Sequence, residues 1–223
     1  MTLFRKTVPA LSALVISAGF LAASVSPSQA SLVMKLEADD GVGGTASTTI
    51  SDLSASFPRQ VQFTGSLGVY FLNITFSVAL EGDNVSSLSS VSFNASSSMG
   101  GDLTITVEED DYASPTGLAS VFSRITPTIT PDLDYKSEID GTTVLDVAGL
   151  TGGDVAEGGI MTTVSDPFSI KHTFVISHSA AEVTTFDAHT KVTVPEPATL
   201  GLIGVSLVGL GAAAARRRRA TAA

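Results

Sequence analysis

Three histidines, His172, His178 and His189, and two acidic runs, Asp39-Asp40-Gly41 and Glu108-Glu109-Asp110-Asp111, are the side chains best suited to chemistry in this sequence. Imidazoles bind Zn²⁺ or Cu²⁺ when enough ligands converge, usually three or four. All three histidines fall in the last two strand-like segments, where a hairpin would bring some of them together. His172 also shares the parity of Phe168, Ile170, Phe174 and Ile176, which suits a partly buried ring held by a hydrogen bond. Carboxylates on a loop are hard oxygen ligands for Ca²⁺. Glu108, Glu109, Asp110 and Asp111 form the densest such group, but neither run has the spaced Asp-x-Asp-x-Asp-Gly pattern. Neighbours on a strand face opposite ways, so four acids in a row meet one ion only where the strand has ended. A solvated strand end is the expectation, with calcium the one cofactor these residues would admit and no other metal site.

No catalytic residue is expected. Acyl, metal-assisted and phosphoryl chemistry need a nucleophile, a base and orienting groups in one place. The chain has no Gly-x-Ser-x-Gly, no His-Glu-x-x-His and no phosphate loop. Zero Cys excludes a disulfide-stapled scaffold, a thiolate metal site and a Cys nucleophile. Asn73-Ile74-Thr75, Asn84-Val85-Ser86 and Asn94-Ala95-Ser96 match the glycosylation pattern, which arises readily by chance in a Ser/Thr-rich chain. Tyr70, Tyr112 and Tyr135 are too scattered for a sugar-stacking platform.

The elements that must carry these residues are strands. Apolar residues alternate with Ser, Thr and Asn instead of recurring at helical spacing. Val69–Val78, Asp102–Val107, Phe168–Ser177 and Glu182–Val194 are the clearest segments, with Leu72, Ile74, Phe76 and Val78 sharing one face. Leu32–Leu36, Ser56–Phe63, Leu88–Phe93, Leu118–Ile125, Thr142–Val147 and Ile160–Val164 follow the pattern less fully. Turn signals stand between them: Asp40-Gly41, Gly65, Glu81 to Asn84, Gly100-Gly101, Asp140-Gly141, Gly152-Gly153 and Gly158-Gly159. Roughly eight to ten short strands predict an all-β fold, an antiparallel two-sheet sandwich.

Both ends read as addresses. Arg5 and Lys6 precede the apolar stretch Val8–Val25, and Ser28-Gln29-Ala30 places small residues before Ser31. That is a signal peptide over 1–30, cut by signal peptidase between Ala30 and Ser31. At the other end, Ala198 to Ala215 is an uncharged run of 18 residues. As a helix it would span roughly 27 Å, close to a bilayer's hydrocarbon core. Arg216, Arg217, Arg218 and Arg219 follow it and resist crossing, so they set its topology as a single transmembrane helix. Before it, Pro195 and Pro197 flank Glu196 and keep the backbone extended, as a peptidase groove requires.

"VPEPATLGLIGVSLVGLGAAAARRRR" resembles the PEP-CTERM sorting signal in all three parts and their order: a Pro-Glu-Pro motif, a hydrophobic helix and a basic tail. The resemblance implies a Gram-negative bacterium that secretes exopolysaccharide. It also implies an exosortase that recognises the tag and cuts near Pro195, Glu196 and Pro197. The protein would pass from an inner-membrane-anchored precursor to the cell surface or the extracellular biofilm matrix. "FTGSLGVYFLNITFSVA", "SSLSSVSFNASSSMGGDLTITVEEDDYA" and "FSIKHTFVISH…FDAHTKVTVPEP" are similar to a recurrent passenger domain of that group, which supplies no catalytic motif.

The expected organisation is therefore a signal peptide at 1–30, a secreted domain at 31–194 and a sorting signal at 195–223. Six of the 12 Lys and Arg and one of the 22 acids lie in the two tags, leaving six cations and 21 acids, or −15, between them. The whole chain's formal charge of −10 argues against a nucleic-acid partner. The charge between the tags would also weaken binding to an anionic polysaccharide unless divalent cations bridged the two. The function these features predict is an exported, non-enzymatic structural or adhesive component associated with exopolysaccharide. The alternatives are a polysaccharide- or calcium-binding module and, behind it, a hydrolase with an unrecognised site.

Overall fold

The computed structural model describes residues 32–52, 59–80, 85–113 and 115–194, with Val205, Ser206 and Val208 of the C-terminal segment. The signal-peptide segment with Ala30 and Ser31, the Pro195-Glu196-Pro197 motif and Arg216 to Arg219 lie outside the described residues, as does most of the 198–215 segment. Among the described residues no helix is long and apolar enough to cross a membrane.

Twelve antiparallel strands are described, more than the alternation predicts. Four come first: β1 (Leu32–Asp39), β2 (Thr45–Asp52), β3 (Arg59–Leu67) and β4 (Tyr70–Leu80). Eight follow: β5 (Val85–Ser97), β6 (Gly101–Tyr112), β7 (Gly117–Ile129), β8 (Leu133–Ile139), β9 (Thr142–Leu150), β10 (Ala156–Val164), β11 (Phe168–His178) and β12 (Val183–Thr193). They form two six-stranded sheets, sheet A in the order β2-β1-β6-β11-β8-β9 and sheet B in the order β10-β7-β12-β5-β4-β3. The all-β sandwich is thus the architecture. Its last eight strands pair β5 with β12, β6 with β11, β7 with β10 and β8 with β9, alternating between the sheets. That nested ribbon is a jelly roll, and β1–β2 and β3–β4 widen its two sheets.

Parity places the core. Leu72, Ile74, Phe76 and Val78 of β4 and Leu103, Ile105 and Val107 of β6 are fully buried, facing each other between the sheets. At the centre, Phe174 of sheet A packs on Phe186 of sheet B, with ring centroids 4.7 Å apart, and on Phe76 at 5.7 Å. Aromatic pairs at such separations add to the stabilisation from area alone.

Turns obey backbone chemistry. Asp140 and Gly141 close the β8–β9 hairpin with φ of 47° and 73°, the positive pair that a two-residue primed turn requires. Gly68 turns β3 into β4 at φ 57°, where a Cβ would overlap the Asp39 carbonyl. Two other expected turns are strands instead. Gly65 lies within β3, opposite Leu72. Gly158 and Gly159 lie within β10, where added Cβ atoms would sit 3.0 Å from the carbonyl oxygens of Val144 and Val121. Here glycine permits a close backbone approach and does not mark a chain reversal.

Candidate functional sites

The tag joins the fold at a defined point. β12 lies inside sheet B, hydrogen-bonded to β7 and β5, and ends at Thr193. Val194 still packs partly buried against the core. At the other end, β1 starts at the fully buried Leu32. The expected processing positions, Ala30/Ser31 and Pro195 to Pro197, therefore fall immediately outside the first and last strands.

The histidines do not converge. β11 and β12 follow one another but belong to different sheets, so they form no hairpin ladder. His172 and His178 point inward from sheet A, whereas the half-buried His189 faces outward from sheet B. Among the described residues no group of three or more His, Asp or Glu could hold a metal ion.

Each inward ring is built into a hydrogen-bond chain between the sheets. His172 Nε2 lies 2.8 Å from Thr190 Oγ1, whose own proton goes to Ser123 Oγ at 2.9 Å. The nitrogen is thus the donor, and Nδ1 is left without a hydrogen-bond partner among the described residues. Ser123 also meets the Tyr135 hydroxyl at 2.9 Å. Burial lowers the His172 pKa to about 3, so the ring is neutral.

His178 Nδ1 lies 2.6 Å from Ser97 Oγ, and its Nε2 lies 2.8 Å from Thr184 Oγ1. Nothing in the Ser96-Ser97-Ser98 run signals this pair, because its partners are 81 residues apart. Ser97 lines a shallow cavity of about 280 Å³ with Tyr70, Phe71 and Ser98. The Ser97 hydroxyl has further bonds besides the one to His178. Ser97 donates to the Ala180 carbonyl at 3.0 Å and accepts from Glu182 N–H at 3.3 Å. His178 is thus held at both ring nitrogens, by Ser97 at Nδ1 and by Thr184 at Nε2. The chain is a stitch between β11 and strands β5 and β12.

The acidic run lies at the C-terminal end of β6 but is not solvated throughout. β6 continues to Tyr112, and Glu109 extends the inward face of Leu103, Ile105 and Val107. Asp110 and Asp111 stand against the single residue Ser169 of β11, a bulge that returns Tyr112 to the core. Glu109 is fully buried and pairs with the buried Arg59, Nη2 to Oε1 at 2.6 Å. Burial drives its pKa up to about 7 against the pull of Arg59. Glu108 faces outward, in register with Lys171. The four carboxylates therefore face different ways and do not surround one point. In the other cluster, Asp40 Oδ1 accepts the N–H groups of Val42 at 2.9 Å and Gly44 at 2.8 Å. These bonds hold its carboxyl below the usual range.

Tyr70, Tyr112 and Tyr135 are all buried. Asn73 and Asn94 pair across β4 and β5 on the outer face of sheet B, and Asn84 lies outside the described residues.

Residues 193–219 match the PEP-CTERM protein-sorting motif. The chain is a PEP-CTERM sorting domain-containing protein, and the motif marks it as an exported one. No curated protein matches it. Among solved structures it is similar to TmCBM61 in complex with β-1,4-galactotriose, at 14% identity and TM-score 0.34, over 53% of this chain and 88% of that one. It is similar to the PA14 domain of MpAFP antifreeze protein, at 10% identity and TM-score 0.35, over 71% and 80%. It is also similar to the N-terminal cellulose-binding domain of Cellulomonas fimi β-1,4-glucanase C, at 11% identity and TM-score 0.29, over 54% and 84%. At these TM-scores the likenesses specify neither a topology nor a ligand for this chain.

Proposed function

We propose that this chain is the precursor of a non-enzymatic β-domain delivered through its sorting tag to the cell surface or a polysaccharide matrix, as a structural or adhesive component. Signal peptidase cuts between Ala30 and Ser31. The 198–215 helix halts in the membrane with Arg216 to Arg219 on the cytoplasmic side, and exosortase acts at Pro195-Glu196-Pro197. The mature domain is 31–194.

The observation that carries this reading is the junction: the sorting-motif match begins at the last residue of the last strand. A cut at Pro195 to Pro197 would thus leave all twelve strands in place. The inward histidines support a non-catalytic role, since their bonds go to hydroxyls that tie one sheet to the other. Replacing both Pro195 and Pro197 with Ala should leave an uncut form in the membrane fraction, visible as a larger band on immunoblots. Processing of that variant at the normal rate would overturn the assignment.

A further inference from the structure

Charge is divided unevenly between the two sheets. Eleven acids lie on the strands of sheet A, and only two, Glu157 and Asp187, on those of sheet B. The cations of sheet A are neutralised at once: Lys35 by Glu37 at 3.0 Å, and Lys136 and Lys171 by Glu138 at 2.8 and 3.1 Å. Sheet B carries Arg124 and Lys191 on its outer face. Arg124 makes no ion pair among the described residues, although Glu157 stands across from it in register.

Strand register gathers these groups. On β7 and β12, Arg124 faces His189 and Phe122 faces Lys191. Opposed residues in an antiparallel pair hold their Cβ atoms roughly 5 Å apart, so the two cations and the imidazole form one patch. Phe122 is 38% exposed, and its ring centroid lies 5.9 Å from that of His189. Its neighbour on the other side is Gly159, which places no side chain beside the ring. Beyond β12 the face continues with the hydroxyls of Ser87 and Ser89, opposite Lys191 and His189.

We propose that this patch binds a carboxylated polysaccharide, a polyuronate, at the outer face of sheet B. Phe122 offers a flat apolar surface to a pyranose ring, and the Arg124 guanidinium matches a carboxylate with two parallel N–H donors. Lys191 supplies a second cation, and the serines take sugar hydroxyls. The charge of −15 between the tags does not forbid this. Of the acids on strands, eleven sit on the far sheet, about 10 Å away, where salt near 0.15 M screens them over about 8 Å, while Glu157 and Asp187 share sheet B with the patch. The proposal rests on the export reading only for where the ligand is met.

Affinity electrophoresis of the exported protein through gels containing polygalacturonate tests it, at ~0.15 M salt with a chelator present. The wild type should be retarded, and neutral dextran should not retard it. Arg124→Gln/Lys191→Gln should weaken retardation roughly ten-fold or more, the scale of losing hydrogen bonds to a charged group. Phe122→Ala should weaken it as well, with melting curves confirming that each variant is folded. Wild-type migration unaffected by polygalacturonate would overturn the proposal, as would a folded double variant retarded like wild type. Retardation that appears only with calcium, or sedimentation with phosphatidylglycerol vesicles in place of polygalacturonate binding, would overturn it too. Lost retardation with normal export leaves the sorting assignment standing. Retardation of a chain that is never exported does the reverse.

Discussion

The imidazole of His172 sits between the sheets with Nε2 bonded to Thr190 and Nδ1 lacking a hydrogen-bond partner among the described residues. A protonated ring there would bury a charge with no carboxylate among the described residues to meet it, and burial accordingly lowers its pKa to about 3. The unfolded chain protonates the same group near 6.5. Between those values the unfolded state binds the extra proton, so the contribution to stability is complete above pH 6.5 and is lost as pH falls toward about 3. The loss approaches roughly 1.4 kcal/mol per pH unit well inside that window. Urea denaturation of wild type and His172→Leu at a series of pH values should show the variant's stability falling less steeply between pH 6.5 and 4.5. Equal slopes would contradict a neutral buried ring. Glu109 works with the opposite sign over pH 4.5 to 7, its folded pKa being raised, and it is common to both proteins. The inward direction of His172 is readable from the parity it shares with Ile170 and Phe174, but its partners Thr190 and Ser123 come from other strands and leave no local trace.

At the scale of elements, the Arg59–Glu109 pair joins β3 of sheet B to β6 of sheet A. Both ions have left water, and their attraction offsets that cost only while both are present. Glu109→Leu alone removes the carboxylate buried against the guanidinium and should destabilise by roughly 3–5 kcal/mol, whereas Arg59→Met/Glu109→Leu should recover most of the loss. Denaturation midpoints of the three proteins check this, and a double variant as weak as the single would contradict it. The four best alternating segments are all strands, because their inward residues meet the opposite sheet. β2 and β8 are hidden in the sequence for different reasons. β2 is an edge strand whose alternation runs largely through Thr, Ser and Ala. β8 places charged Asp134, Lys136 and Glu138 between Leu133, Tyr135, Ser137 and Ile139, and one of its inward residues is a serine. β7 runs on past Ile125 through Pro127, which is tolerated at the bulge opposite Phe186. The acidic run resembles a solvated strand end because local charge density says nothing about Arg59, a partner on a distant strand.

The described strands form a jelly roll widened by β1–β4, and its first and last strands lie directly beside the two proposed processing segments. The tags and the domain obey separate physics. The sorting motif at 193–219 is legible from two prolines around an acid, an apolar run and a basic end, all of them features of local sequence. The binding face is not legible in that way, because net charge hides the segregation of acids onto sheet A that folding produces. Removal of both proposed tags is tested most directly by the intact mass of the protein recovered from the extracellular or surface fraction. The expected mass corresponds to a chain beginning at Ser31 and ending near Pro195 to Pro197, with any attached group as an added increment. A mass that retains Arg216 to Arg219 would contradict it.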